Sequence, residues 1–137
     1  MKVWILYAVL TFSALCVSDV YASDVEGMLT QAAHKHNISP EIVKAVAKVE
    51  SNKTCGLKDG PHRGIMQVSR STAKEVGMPW PFLSCEDEIE AGVRYLEKAI
   101  AIGGENCVGI TLYNSGINAG LHCSQYGKKV MREARSQ

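Results

Sequence analysis

Beyond residue 22 the apolar residues recur at helical intervals and almost never alternate, which predicts a series of helices and very little strand. Ser23 followed by Glu26 has capping-box spacing, and Val25, Met28, Leu29 and Ala32 then share one face until Asn37 ends the helix. Ser39-Pro40-Glu41 opens the next helix: the serine can accept free N–H groups, proline fits the first turn, and the acid suits the helix dipole. At about 100° per residue, Val43, Val46 and Glu50 point nearly the same way, so a carboxyl group closes an apolar stripe. Residues 51–63 carry Asn52, Gly56, Asp59, Gly60 and Pro61, which is loop composition, and Gly64 to Val68 is too short for a helix and reads as extended.

Four helices follow. Ser71 or Thr72 starts a short one that stops at Gly77. From Glu86 the acids Asp87, Glu88 and Glu90 gather near a helix start, and Ile89, Val93, Leu96 and Ile100 form a stripe ending at Gly103-Gly104. Asn106 can cap another helix through Ile110 and Tyr113 to Gly116, and a last one spans about Leu121 to Arg135 with Cys123, Tyr126 and Val130 inward. No repeat or long linker divides residues 23–137. The expected class is mainly α, in a single domain.

The first 22 residues read differently. Lys2 gives a positive start, Val3 to Val17 is largely apolar, and Val20-Tyr21-Ala22 suits a signal peptidase, so cleavage near Ala22 and a periplasmic or secreted product are expected. The run is short for a membrane span and is interrupted by Thr11 and Ser13, which argues against a stable membrane anchor. Loss of Cys16 would leave Cys55, Cys85, Cys107 and Cys123, an even set that suggests two disulfides in an exported chain. Three pairings are possible; Cys55 with Cys85 and Cys107 with Cys123 is favoured because each closes one contiguous segment. The lack of CxxC spacing argues against zinc. A net charge of +1 argues against a nucleic-acid binder, although Lys128, Lys129, Arg132 and Arg135 form a basic C-terminal run.

Glu50 is the leading candidate for chemistry. Desolvation on an apolar face raises a carboxyl pKa and keeps the group protonated near neutrality, as a general acid requires. The bland alternative is a helix-end glutamate with its head in water or paired with Lys53. Gly64-Ile65-Met66-Gln67 could line a groove, with Gln67 reading hydroxyl or acetamido groups, but Met66 alone would equally be core filler. Tyr113-Asn114-Ser115-Gly116 alone would be an ordinary helix end, and Tyr126 a packed aromatic with a wet hydroxyl.

In order and spacing these segments say more than any one of them. Glu50-Ser51, then Gly64-Ile65-Met66-Gln67 with Ser71-Thr72-Ala73 behind it, then Tyr113-Asn114-Ser115-Gly116, then Tyr126 ahead of Val130, together resemble the soluble lytic transglycosylase family. Size, signal and cysteines look most like its small specialised members that accompany secretion systems, conjugation machines and pili. The resemblance implies a lysozyme-like domain with a groove for peptidoglycan glycan strands, acting as a monomer without cofactor or metal. It implies that Glu50 protonates the oxygen of the β-1,4 bond between N-acetylmuramic acid and N-acetylglucosamine. Glu50 then takes the proton of the muramic 6-hydroxyl, giving a 1,6-anhydro end. Met66, Gln67, Tyr113, Asn114 and Tyr126 match positions around the sugars, and Ser51 follows the acid in the pattern.

One segment departs from the family. Many relatives carry a serine in the loop after the acid, where this chain has Lys58-Asp59-Gly60 and also Cys55. Asp59 as a second carboxylate could activate water, and the enzyme would then be a hydrolytic lysozyme. A non-catalytic wall-binding assembly component is the remaining alternative. The histidines suggest no metal site: His34 and His36 lie about 200° apart on a helix, His62 and His122 fall in expected loops, and all read as surface residues.

Overall fold

The computed structural model describes residues 15–137, with side chains described from Asp24 onward. Most of the expected export signal therefore lies outside the described residues. Helix α1 spans Leu15–Lys35 and runs without a break through the expected cleavage point, so in the uncut chain Ser23 is inside the helix rather than at its cap. No helix among the described residues is long and apolar enough to cross a membrane.

The remaining elements are α2 (Pro40–Ser51), β1 (Lys58–Asp59), β2 (His62–Arg63), β3 (Val68–Ser69), α3 (Arg70–Glu75), α4 (Cys85–Gly103), α5 (Cys107–Ser115) and α6 (Gln125–Arg135). The fold is mainly α, as expected, but the 51–69 region holds a small antiparallel sheet in the order β1-β2-β3 that the loop composition did not predict. α4 packs on α1 and α5, α2 packs on α1 and α6, and α6 closes against α5. Leu29, Val43, Val46, Ile89, Val93, Leu96, Ile110 and Val130 are fully or almost fully enclosed at these contacts. The stripes read from the sequence thus meet in one core.

Polar side chains set most helix ends. Ser84, Asn106 and Ser124 accept from the backbone N–H groups of Asp87, Val108 and Gly127 at 3.2, 2.8 and 3.2 Å, and Ser69 accepts from Thr72 N–H at 3.2 Å. The Ser124 cap moves the start of α6 to Gln125, later than the expected Leu121, and leaves Cys123 exposed ahead of the helix instead of facing inward. Ser39 precedes α2 but does not cap it with its side chain, because the Ser39 hydroxyl turns to donate to Glu41 Oε2 at 2.6 Å.

Two features fix α1 and α2 relative to their neighbours. Lys53 pairs with Glu26 on α1, so the expected alternative of a Lys53–Glu50 pair is not formed. His36 lies between Glu97 at 2.9 Å and Glu90 at 3.2 Å, with Lys35 and Arg94 also on Glu90 at 3.0 and 2.8 Å. Burial pushes the Glu90 pKa up, but Arg94, Lys35 and His36 outweigh it and hold the carboxyl down at about 2. His36 is therefore part of an α1–α4 tie rather than a free surface residue.

Candidate active site

α2 delivers Glu50 to its last turn, where the helix stops abruptly. Asn52 and Lys53 both take the left-handed conformation, at φ +54° and +59°, and their N–H groups close onto Lys48 and Ala47 carbonyls. Glu50 is half-buried and lines a cleft of about 340 Å³. Asp59 and His62, opposite each other across the β1–β2 pair, line it, as do Gln67, Ser69 and Thr72, and the end of α5 adds Tyr113 and Asn114.

Burial raises the Glu50 pKa; a hydrogen bond from Tyr126 and the nearby His62 and Lys129 pull it back without cancelling the rise. The Tyr126 hydroxyl, carried on the first turn of α6, donates to Glu50 Oε1 at 2.5 Å. Tyr113 is buried and donates to the Met66 carbonyl at 2.6 Å. Burial, then the nearby Glu50 charge, pushes both phenols well above the usual tyrosine pKa, so both remain neutral donors. The arrangement is a protonatable acid in a polar cleft, held at one oxygen with the other left for a ligand.

The sequence model of the family described as the transglycosylase SLT domain matches residues 27–134. The chain belongs to the transglycosylase SLT domain family. No solved structure matches the chain significantly. Membership supports, at the level of the family, lytic transglycosylase activity on peptidoglycan, and the helical architecture agrees with a lysozyme-like SLT fold.

Within the SLT domain of this chain, four of the expected residues, Glu50, Gln67, Tyr113 and Asn114, line the cleft directly, while Tyr126 reaches Glu50 by its hydroxyl. Gln67 is left-handed, at φ +50°, and its amide nitrogen donates to the Gly64 and Leu57 carbonyls at 2.9 and 3.3 Å. Met66 and Ser51 do not reach the cleft with their side chains. Met66 is fully enclosed and lies so close to α4 that a Cβ on Gly92 would meet its Cβ and Sδ at 2.5 Å. A sugar contact from that side chain is thus replaced by a core contact, with the Met66 carbonyl serving Tyr113. Ser51 is buried and donates to the Ile65 carbonyl at 2.7 Å, tying the end of α2 to the Gly64–Gln67 segment.

Three participants escaped the sequence reading. Tyr95 lines the cleft from α4 and packs on Tyr113 with ring centroids 5.7 Å apart, yet its position gave no signal separate from the α4 stripe. His62 lies on a strand in the cleft, not in a loop; the two-residue Gly60-Pro61 connection between it and Asp59 was the available hint. Glu88 is the third. It is buried, and its carboxyl accepts from the N–H groups of Gly56 and Ile65 at 3.0 Å each. Gly64 sits on it so closely that a Cβ there would lie 2.6 Å from Glu88 Cδ, so glycine is required both by space and by its φ of +82°. Beside it, the Cys55–Cys85 disulfide joins the same loop to the start of α4, and Cys107–Cys123 is the second disulfide, both as favoured from the sequence.

Proposed function

We propose that the chain is an exported lytic transglycosylase that cuts peptidoglycan glycan strands and leaves 1,6-anhydro-muramic ends. One observation carries the reading: a carboxyl group with a raised pKa stands in a polar cleft and is held at one oxygen by a neutral phenol. In the first step protonated Glu50 gives its proton to the bridging oxygen as the bond from the muramic anomeric carbon breaks, and the N-acetylglucosamine side leaves as an alcohol. In the second, the muramic 6-hydroxyl attacks that carbon and returns its proton to Glu50, so no water is consumed and the acid is regenerated. The acetamido group of the same sugar supports the cation-like intermediate, which makes a second carboxylate unnecessary.

The other residues act by position. Tyr126 orients Glu50, Tyr113 fixes the Met66 carbonyl and so the Gly64–Gln67 segment, and Gln67 and Asn114 offer amides to the sugars. Because its nitrogen is bound to backbone, Gln67 presents its oxygen. Removal of residues 1–22 and action outside the cytoplasm belong to the same proposal, supported by two disulfides that suit an oxidising compartment. So does local wall opening for an envelope-spanning machine.

Asp59 favours a second reading, because it shares the cleft with Glu50 and could activate water for a hydrolytic cut. Mass spectrometry of glycan digested by the chain separates the two. Anhydro ends, lost in Glu50→Gln, are the expected result; water-added ends lost in Asp59→Asn would establish a lysozyme instead. Binding without cleavage by the wild-type chain would leave a wall-binding component.

A further inference from the structure

A second recess opens beside the cleft and shares Ser69 with it. It encloses about 730 Å³, with Pro61, Met78 and Trp80 as its apolar lining and Arg70 and Lys74 as its charges. No acid lines it. Both cations are exposed, and neither takes part in any ion pair among the described residues. Glu75, on the same helix, is occupied by Lys98 at 2.6 Å. Trp80 is half-buried and braced edge-on against Phe82 with ring centroids 5.2 Å apart, so the apolar wall is fixed.

A neutral sugar could lie on the tryptophan face but would leave both cations without a counter-charge. The lining suits a short chain carrying both carboxylates and alkyl groups. Arginine forks match carboxylates, lysine adds a mobile charge, and a tryptophan face covers aliphatic carbons. The polymer assigned to the cleft carries such a chain: each muramic lactyl group bears a peptide with free carboxylates and small alkyl side chains. From the reading of the cleft as a peptidoglycan site, we infer that the Arg70–Lys74–Trp80 recess holds the stem peptide of the strand being cut. The chain then selects peptide-bearing strands over bare glycan.

The test compares the full chain with its Arg70→Glu/Lys74→Glu variant on two substrates, isolated glycan strands with their peptides and the same strands stripped by an amidase. The variant should lose about tenfold in rate on peptide-bearing strands and stay within about twofold on stripped ones, since the charges act only on the peptide. Equal loss on both would make the recess another sugar subsite, and an unchanged rate on peptide-bearing strands would remove it from binding; either overturns the inference. A second measurement does not need cleavage. Titrating Glu50→Gln chain with muramyl tetrapeptide should move the Trp80 indole N–H resonance, and the shift should vanish with Arg70→Glu/Lys74→Glu. No shift at millimolar peptide, with anhydro product still formed by the wild type, rejects the recess and keeps the catalytic reading. A shift in a chain that cleaves nothing does the reverse.

Discussion

At the scale of residues, the central balance is between burial of Glu50 and the donor that touches it. Burial favours the protonated acid, whereas the Tyr126 hydroxyl at 2.5 Å favours the carboxylate. A general acid works below its pKa, so activity should fall on the alkaline side as pH rises through the raised Glu50 value. Tyr126→Phe removes a contact that lowers this pKa, and the alkaline limb should therefore shift to higher pH. The same change frees the carboxyl to rotate, and loss of a positioned geometry should cost about tenfold in maximal rate. A pH–rate profile of glycan release reads both effects. A slower enzyme whose alkaline limb stays in place, or moves toward acid, would mean that Tyr126 does not tune Glu50.

Between elements, the strongest tie to the site runs through Glu88. From α4 it reaches the loop at Gly56 and the cleft segment at Ile65, so one side chain sets how the 56–65 stretch lies against the helices. Glu88→Ala leaves two N–H groups without their acceptor beneath Gly64, which should destabilise the fold by about 2 to 4 kcal/mol in urea unfolding. Asp59 and His62 ride on that stretch and Gln67 directly follows it, so KM should rise more than kcat falls. Glu88→Gln should recover more than Ala but not all, because its oxygen can take the Oε2 place and accept from both N–H groups, while its NH2 then faces the Gly56 N–H that also lies 3.1 Å from Oε1. If the Ala variant kept wild-type stability and KM, Glu88 would be an ordinary buried side chain. Nothing local in the sequence revealed this role, since an acid at this place in a helix also suits the dipole. What was legible were features with local causes: the α4 stripe, the Asn106 cap, and Glu50 at the end of α2. Strands of two residues are too short to show alternation, and the α6 start was misplaced because the apolar pattern around Leu121 hid the Ser124 cap. Met66 illustrates the other limit: its motif placed the segment correctly, but only the fold shows which way the side chain turns.

Across the whole molecule, the two disulfides look equivalent by chain entropy and differ in what they hold. They close spans separated by 30 and 16 residues, for which loop closure predicts roughly 3.5 and roughly 3 kcal/mol of stabilisation. Cys107–Cys123 joins elements already fixed by other means: Ser124 N–H donates to Thr111 Oγ1 at 3.0 Å, and the fully buried Val130 holds α6, with Tyr126, against its neighbours. Residues 55–63 are held more lightly: none of their side chains is buried, their far end pairs with β3 and the Gln67 amide reaches Leu57, and the Cys55–Cys85 bond and Glu88 are what tie their start to α4. Replacing each pair by serines should therefore cost similar stability and give different enzymes. Without Cys107 and Cys123, unfolding should come at lower urea while glycan cleavage at 25 °C stays within about twofold, since Tyr126 keeps its helix. Without Cys55 and Cys85, KM for glycan strands should rise several-fold even where the protein is fully folded, since the Asp59–His62 hairpin gains freedom that binding must remove. Equal kinetic losses in both variants would mean that the hairpin is held by something other than its ties to α4.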